Sequence, residues 1–127
     1  MTKKVLLADD SVTIRKVARI TLKDGDFELT TVDNGDDAIK KAREIKPDIV
    51  IADIVMPGKN GYEVCEEIKK DPALKNTAVL LLATSFEGYD ETKGAKAGAD
   101  GHITKPFDAK ILLKTINDLA AKDKQPL

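Results

Sequence analysis

The chain has one cysteine, no tryptophan and few aromatic rings of any kind, only 4% of its 127 residues. A lone thiol, Cys65, has no partner for an internal disulfide and no second sulfur for a CxxC or metal cluster. It is expected to pack as a small hydrophobe rather than to react. An excess of one charge is missing too. The 21 Lys and Arg nearly cancel the 22 Asp and Glu, leaving a formal charge of -1, so the basic surplus of a nonspecific nucleic-acid binder is absent. Long hydrophobic runs are likewise lacking. After Met1-Thr2-Lys3-Lys4 only Val5 to Ala8 precede two aspartates, too short a stretch for a signal peptide or a membrane span, and a cytoplasmic protein without membrane association is expected. Neither GxGxxG nor GxxxxGK[ST] occurs, and Gly58-Lys59-Asn60-Gly61 is too short for a phosphate loop. No repeat, low-complexity tract or second domain is visible.

The length suits one domain with one core, expected over residues 1–127 with the core at about 4–121 and a polar tail at 122–127. Short apolar runs alternate with stretches of helical periodicity, the pattern of repeated β-α units around a parallel sheet. Val5-Leu6-Leu7-Ala8, Ile49-Val50-Ile51-Ala52 and Ala78 to Ala83 are continuously apolar, as strands covered on both faces should be. Phe27 to Val32 is more polar and alternates, which predicts an edge strand, and Gly101 to Thr104 a short fifth strand.

Ile14, Val17, Ala18 and Thr21 predict a first helix, with Ser11 as its cap and Gly25 just beyond its end. Ala38, Ile39, Ala42 and Ile45 mark a second. Tyr62, Cys65 and Ile68 mark a third that stops before Pro72. Ile111, Leu112, Thr115, Ile116 and Leu119 give the last helix its apolar face, with Asp108 as cap. Gly88 to Gly98 reads as a poorer helix, because Gly94 lies inside it and Ala95 and Ala97 offer little area to bury. It is expected to be the most labile element.

Ligands of open parallel α/β sheets bind beyond the carboxyl ends of the strands. Here those ends read Asp9-Asp10, Asp53, Thr84-Ser85 and Lys105-Pro106. Taken singly, such residues are turn, cap or strand-ending residues. Together they describe a site. Carboxylates gathered at one edge repel each other and need cations, which Lys105 and a hard divalent ion such as Mg²⁺ can supply. A carboxylate nucleophile, a Mg²⁺ pocket, a lysine and a hydroxyl are what transfer of a phosphoryl group to Asp requires.

From Lys4 to about Ala121 the sequence resembles the receiver domains of two-component response regulators, the CheY-like family. The resemblance is carried by Val-Leu-Leu-Ala-Asp9-Asp10-Ser, by Pro47-Asp48 through Asp53 to Met56-Pro57-Gly58, by Asn60-Gly61-Tyr62-Glu63, by Ala97 to Gly101 and by Lys105-Pro106-Phe107. It implies a doubly wound, five-stranded parallel sheet of order 2-1-3-4-5 with five helices. It further implies that Asp53 accepts a phosphoryl group from a sensor histidine kinase, a phosphotransfer protein or a small donor such as acetyl phosphate. Asp10, Asp53 and the Val55 carbonyl would ligate Mg²⁺, and Asp9 would help mainly through water. Lys105 would pair with the phosphoryl group, and its bond to Pro106 would be cis. Thr84 matches the family's switch hydroxyl, with Ser85 as the competing assignment. Such a domain is no ordinary enzyme, although it assists its own phosphorylation and dephosphorylation.

The sequence departs from the family's common pattern in places. His102 stands where many receivers carry a rotating Tyr or Phe, and reads either as a smaller rotating ring or as a partly buried strand histidine. Val55 and Phe86 stand at positions that, by the resemblance, flank the path of the hydrolytic water. Both are apolar, which implies a long-lived phosphorylated state unless Phe86 is merely a core or loop residue. Lys59-Asn60 replaces a Met-Asp pair in an exposed turn.

The surface of the fourth helix, fifth strand and fifth helix is expected to control a downstream protein partner, since no DNA-binding segment follows. A monomer or a weak phosphorylation-dependent dimer is expected. One rival reading is an aspartyl-phosphate phosphohydrolase, but Ile54 and Val55 follow Asp53 where those enzymes resemble Asp-x-Asp. The other, a pseudo-receiver that binds without phosphotransfer, is opposed by the presence of Asp9, Asp10, Asp53, Thr84 and Lys105.

Overall fold

Ile49–Asp53 and Ala78–Thr84 offer water almost nothing to solvate, and their β-branched and leucine side chains favour extended chain buried on both faces. In the computed structural model these segments form β3 and β4. It describes residues 2–23, 25–84, 88–105 and 108–123, with side chains through residue 120. β1 (Lys3–Ala8), β2 (Phe27–Val32) and β5 (Gly101–Lys105) complete a parallel sheet of order β2-β1-β3-β4-β5. Five helices connect the strands: α1 (Val12–Leu22), α2 (Gly35–Ile45), α3 (Gly61–Lys70), α4 (Glu91–Ala97) and α5 (Ala109–Asp123). The strand order and the edge position of β2 match expectation.

The two-residue period of the strands sorts the core into two layers. Leu6, Ala8, Val50, Ala52, Val79 and Leu81 face α2, α3 and α4, where Ala38, Ile39, Val64, Cys65, Ile68 and Ala97 are buried. Val5, Leu7, Ile49, Ile51, Leu80 and Leu82 face α1 and α5, meeting Ala18, Leu22, Leu112 and Ile116. Each fully buried Leu, Ile or Val contributes about 1.5–3 kcal/mol relative to exposure. Register aligns the strand ends: Ala8 with Val32 and Ala52, Asp53 with Leu82, and Thr84 with Lys105. The polar residues at the carboxyl ends of β1, β3, β4 and β5 thereby share one edge.

Side-chain caps start the helices that follow the strands. Ser11 Oγ accepts from the Ile14 amide, Asn34 from Asp37 and Asp90 from Lys93, while Asn60 and Glu63 form a reciprocal capping box at α3. Each cap is worth about 1 kcal/mol. Asp108 caps as expected, its carboxylate accepting from the Lys110 amide.

Gly25 lies just beyond the end of α1, as expected. Lys23 ends the helix in right-handed conformation and the Gly25 amide reaches the Leu22 carbonyl. Two expectations need correction. α4 begins at Glu91 rather than Gly88, because Asp90 caps it there, and it spans only 7 residues. Ile111 is 53% exposed, since the buried stripe of α5 runs through Leu112, Ile116, Leu119 and Ala120, one position round the helix.

Lys46, which ends α2, is the one non-glycine residue with positive φ (48°) among the described residues. Left-handed backbone costs an L-residue about 1–2 kcal/mol, and glycine's greater freedom in the unfolded chain takes back part of any gain. Lys46→Gly is therefore expected to raise stability by about 0.5–1 kcal/mol. A urea denaturation midpoint no higher than that of the wild type would contradict this.

Candidate functional site

Asp9 directly follows β1 and still pairs with its neighbour, its amide donating to the Val32 carbonyl at 3.1 Å. This pairing keeps the side chain in the sheet edge, where it is fully buried. Asp53 is the last residue of β3 and also buried, at 4% exposure. Each carboxylate has one oxygen held by an amide two residues on. Ser11 N–H donates to Asp9 Oδ1 at 2.9 Å, and Val55 N–H to Asp53 Oδ1 at 3.0 Å. The remaining oxygens converge on one ammonium. Lys105 Nζ, at the end of β5, lies 3.0 Å from Asp9 Oδ2 and 2.8 Å from Asp53 Oδ2, with its side chain only 12% exposed.

Asp10 is exposed beside this pair, and carboxylate oxygens of Asp9, Asp10 and Asp53 all lie within 4.8 Å of one another. Three carboxylates against one ammonium leave two negative charges uncompensated, the charge of one divalent cation. The donors are all oxygens, which suits a hard ion such as Mg²⁺. The residues thus fit the metal expected from the sequence.

Burial pushes the Asp9 carboxyl above the ordinary carboxylate value. The Ser11 amide and Lys105 pull it back, and the nearby Asp53 adds to the rise. Burial alone would lower Lys105, but its hydrogen bonds to Asp53 and Asp9 outweigh that and hold its pKa above the ordinary lysine value. The ammonium is therefore charged at neutral pH, with its protons fixed between the two carboxylates.

Thr84 ends β4 beside Lys105 and is partly buried. Val55 is 50% exposed, between the buried Ile54 and Met56. Asp9, Asp10, Asp53, Thr84, Lys105 and Val55 thus gather at one edge or in the loop after it. Ser85, Phe86 and the Lys105–Pro106 bond lie outside the described residues.

His102 is exposed, which corrects the partly buried reading: its side chain leaves the edge strand and lies flat on Tyr89, with ring centroids 3.9 Å apart and an interplanar angle of 3°. Tyr89 also meets Tyr62 at 6.0 Å, and Tyr62 Oη accepts from the Asp90 amide at 2.8 Å. A Cβ on Gly94 would strike the Tyr89 hydroxyl, so the glycine that weakens α4 also seats this ring. Sequence reasoning missed the ladder of rings because Tyr89 lies in a loop, outside any periodic pattern. It also missed Arg15, which donates to the Asp9 carbonyl at 2.7 Å from the outwardly polar α1. Cys65 is buried, donates to the Ala97 carbonyl at 3.4 Å, and has its thiol pushed up to about 12 by burial. It packs, as expected.

A parallel doubly wound sheet whose carboxyl edge carries an acidic cluster bridged by a strand-terminal lysine is the architecture of a signalling receiver. The chain belongs to the response regulator receiver domain family, whose model matches residues 5–117. It is 40% identical over 121 residues to the chemotaxis protein CheY of Halobacterium salinarum, covering 94% of this chain and 98% of that one. It is 39% identical over 113 residues to the protein PilG of Pseudomonas aeruginosa, covering 89% and 84%. The solved chemotaxis response regulator CheY4 of Vibrio cholerae superposes with a TM-score of 0.86 at 34% identity, over 94% of this chain and 99% of that one. The chain is accordingly a receiver of two-component or chemotaxis signalling, and its family is one of regulatory domains rather than of classical enzymes. Among the described residues no helix is long and apolar enough to cross a membrane.

Proposed function

We propose that the chain is a single receiver domain acting as a phosphorylation-dependent switch in the cytoplasm, with Asp53 as the phosphoacceptor. The observation that carries this reading is the Lys105 ammonium held at 3.0 and 2.8 Å between Asp9 and Asp53 at the carboxyl ends of the strands. A carboxylate oxygen of Asp53 bonds to phosphorus as the bond from phosphorus to the donor's leaving atom breaks. The donor is a sensor histidine kinase, a phosphotransfer protein or a small acyl phosphate.

Asp10, Asp53 and the Val55 carbonyl would hold Mg²⁺, with Asp9 reaching it through water. When bound, that ion supplies charge neutralisation to the transferring phosphoryl oxygens. Asp9 retains the Lys105 ammonium at the edge, and Lys105 follows the new negative charge from carboxylate to phosphoryl oxygen. Thr84, beside Lys105, turns its hydroxyl toward the same group. That movement bears on the segment before α4, and the surface of α4, β5 and α5 then engages a downstream protein, with the chain a monomer or a weak phosphorylation-dependent dimer. Val55 presents no group able to orient water, which together with Phe86 supports a slowly hydrolysed acyl phosphate.

The direct test is intact-mass measurement after incubation with acetyl phosphate. The wild type should gain one phosphoryl group with Mg²⁺ present and none after chelation with EDTA. No gain with Mg²⁺ overturns the reading.

His102 would act by leaving its stack on Tyr89 and rotating inward as Thr84 moves. His102→Ala is then expected to take up beryllofluoride normally while the amide signals of α4 and β5 shift much less than in the wild type. A full set of shifts in the variant removes His102 from the switch.

A further inference from the structure

The loop between β3 and α3, residues 54–60, carries the Val55 carbonyl, so its placement decides whether that oxygen faces the acidic cluster. Its two ends are fixed locally. Ile54 and Met56 are buried in the core beneath it, and Asn60 caps α3. Its middle is held from elsewhere, by the first turn of α2.

Gly35 N–H donates to the Pro57 carbonyl at 3.1 Å. A Cβ added to Gly35 would fall on the Lys59 carbonyl oxygen, with the carbonyl carbon at 2.6 Å and Lys59 Cβ at 2.9 Å. Facing it, Gly58 sits at φ 74°, and a Cβ there would fall on the carboxylate of Asp36. Two glycines from separate segments thus each occupy the space beside the other's neighbour. One permits close approach of two backbones and the other permits the left-handed turn that brings them together.

We propose that Gly35 and Gly58 form a clamp through which the N-terminus of α2 positions the 54–60 loop, and with it the Val55 carbonyl, for Mg²⁺. The inference rests on the Mg²⁺ reading above. Neither glycine touches the metal; both are positioning residues. With a methyl group on Gly35, carbon must regain a separation of about 3.5 Å from the Lys59 backbone, a displacement of about 1 Å or more. The loop yields rather than the helix, because α2 is anchored by the buried Ala38, Ile39 and Ala42, while Pro57, Gly58 and Lys59 lie outside the core.

The test is calorimetric titration of Mg²⁺ into the full chain, with thermal melts in EDTA reporting the fold. Gly35→Ala is expected to remain folded but to bind Mg²⁺ about 10- to 100-fold more weakly, the loss typical of removing an outer support of a metal site. Gly58→Ala should also lose affinity, and adding Asp36→Ala to it should restore part, because the added Cβ then has room. Gly58→Ala meets the end of a side chain, at a left-handed position, rather than a backbone carbonyl, so it decides the matter if Gly35→Ala does not fold. Ile116→Val, in the opposite core layer, serves as a destabilised control that should keep wild-type affinity.

Wild-type affinity in folded Gly35→Ala overturns the clamp, as does an equal loss in Ile116→Val. Failure of the wild type itself to bind Mg²⁺ removes the metal reading on which the clamp depends. Binding by the wild type with unaffected variants removes the clamp alone.

Discussion

Asp53→Asn should yield a folded protein that takes up no phosphoryl group from acetyl phosphate and Mg²⁺, however long the incubation. The substitution preserves shape and replaces only the chemistry: an amide is not a nucleophile toward phosphorus and cannot form the acyl phosphate. It also removes one of the two buried carboxylates that share Lys105, and with it the charge that helps raise the Asp9 carboxyl. The protein should accordingly melt no lower than the wild type. Intact mass and a thermal melt decide both points. A mass gain equal to that of the wild type would place the acceptor elsewhere, with Asp10, the third member of the cluster, the first residue to replace next.

Lys105→Met is expected to be the most damaging single change at the site. It leaves Asp9 and Asp53, both buried, without the cation they share, and breaking a buried pair in this way costs about 3–5 kcal/mol. The loss should depend on pH in a definite direction. The Asp9 carboxyl already titrates above its ordinary value through burial, and without Lys105 it rises further. Between the unfolded and the native value the native state keeps a proton that the unfolded chain has released, so stability falls as pH rises through that window. The variant should therefore be weakest at neutral pH and recover toward about pH 4, where the unfolded chain begins to be protonated as well.

In the wild type the raised Lys105 gives a contribution of the opposite kind. It is fully present below the ordinary lysine value and lost only as pH climbs through the native one. Mg²⁺ should partly replace the missing ammonium, since a ligand at a hundredfold excess over its Kd adds about 2.7 kcal/mol. Urea unfolding at pH 4 and pH 7, with and without Mg²⁺, tests the claim. A penalty that ignores both pH and Mg²⁺ would make Lys105 a packing residue.

What could be read from the chain alone follows the range of the forces involved. β1, β3 and β4 were legible because burial on both faces demands uninterrupted apolar residues, and few other structures do. Asp9, Asp53, Thr84 and Lys105 were legible as a group because parallel pairing brings strand ends to one edge, whichever side chains they carry. The shorter start of α4 was not, because Asp90 competes with Gly88 as a boundary and only tertiary contacts decide. Ile111 looked buried because a helical stripe is read with an uncertainty of one position, about 100° of rotation. The Tyr89–His102 stack and the approach of Gly35 to Lys59 involve loop residues distant in sequence, and no local pattern records them.

Leu80 and Leu81 are neighbours in β4 yet belong to different layers of the core. The sheet between them works as a partition, and a void opened at Leu81 is felt by α2, α3 and α4, while one opened at Leu80 is felt by α1 and α5. Substitutions in opposite layers should then add in stability, whereas substitutions within a layer should couple. Drift can thus rework the packing beneath one set of helices and reshape the outer face they present, while the layer behind the sheet goes on holding the strands, and so Asp53, in register.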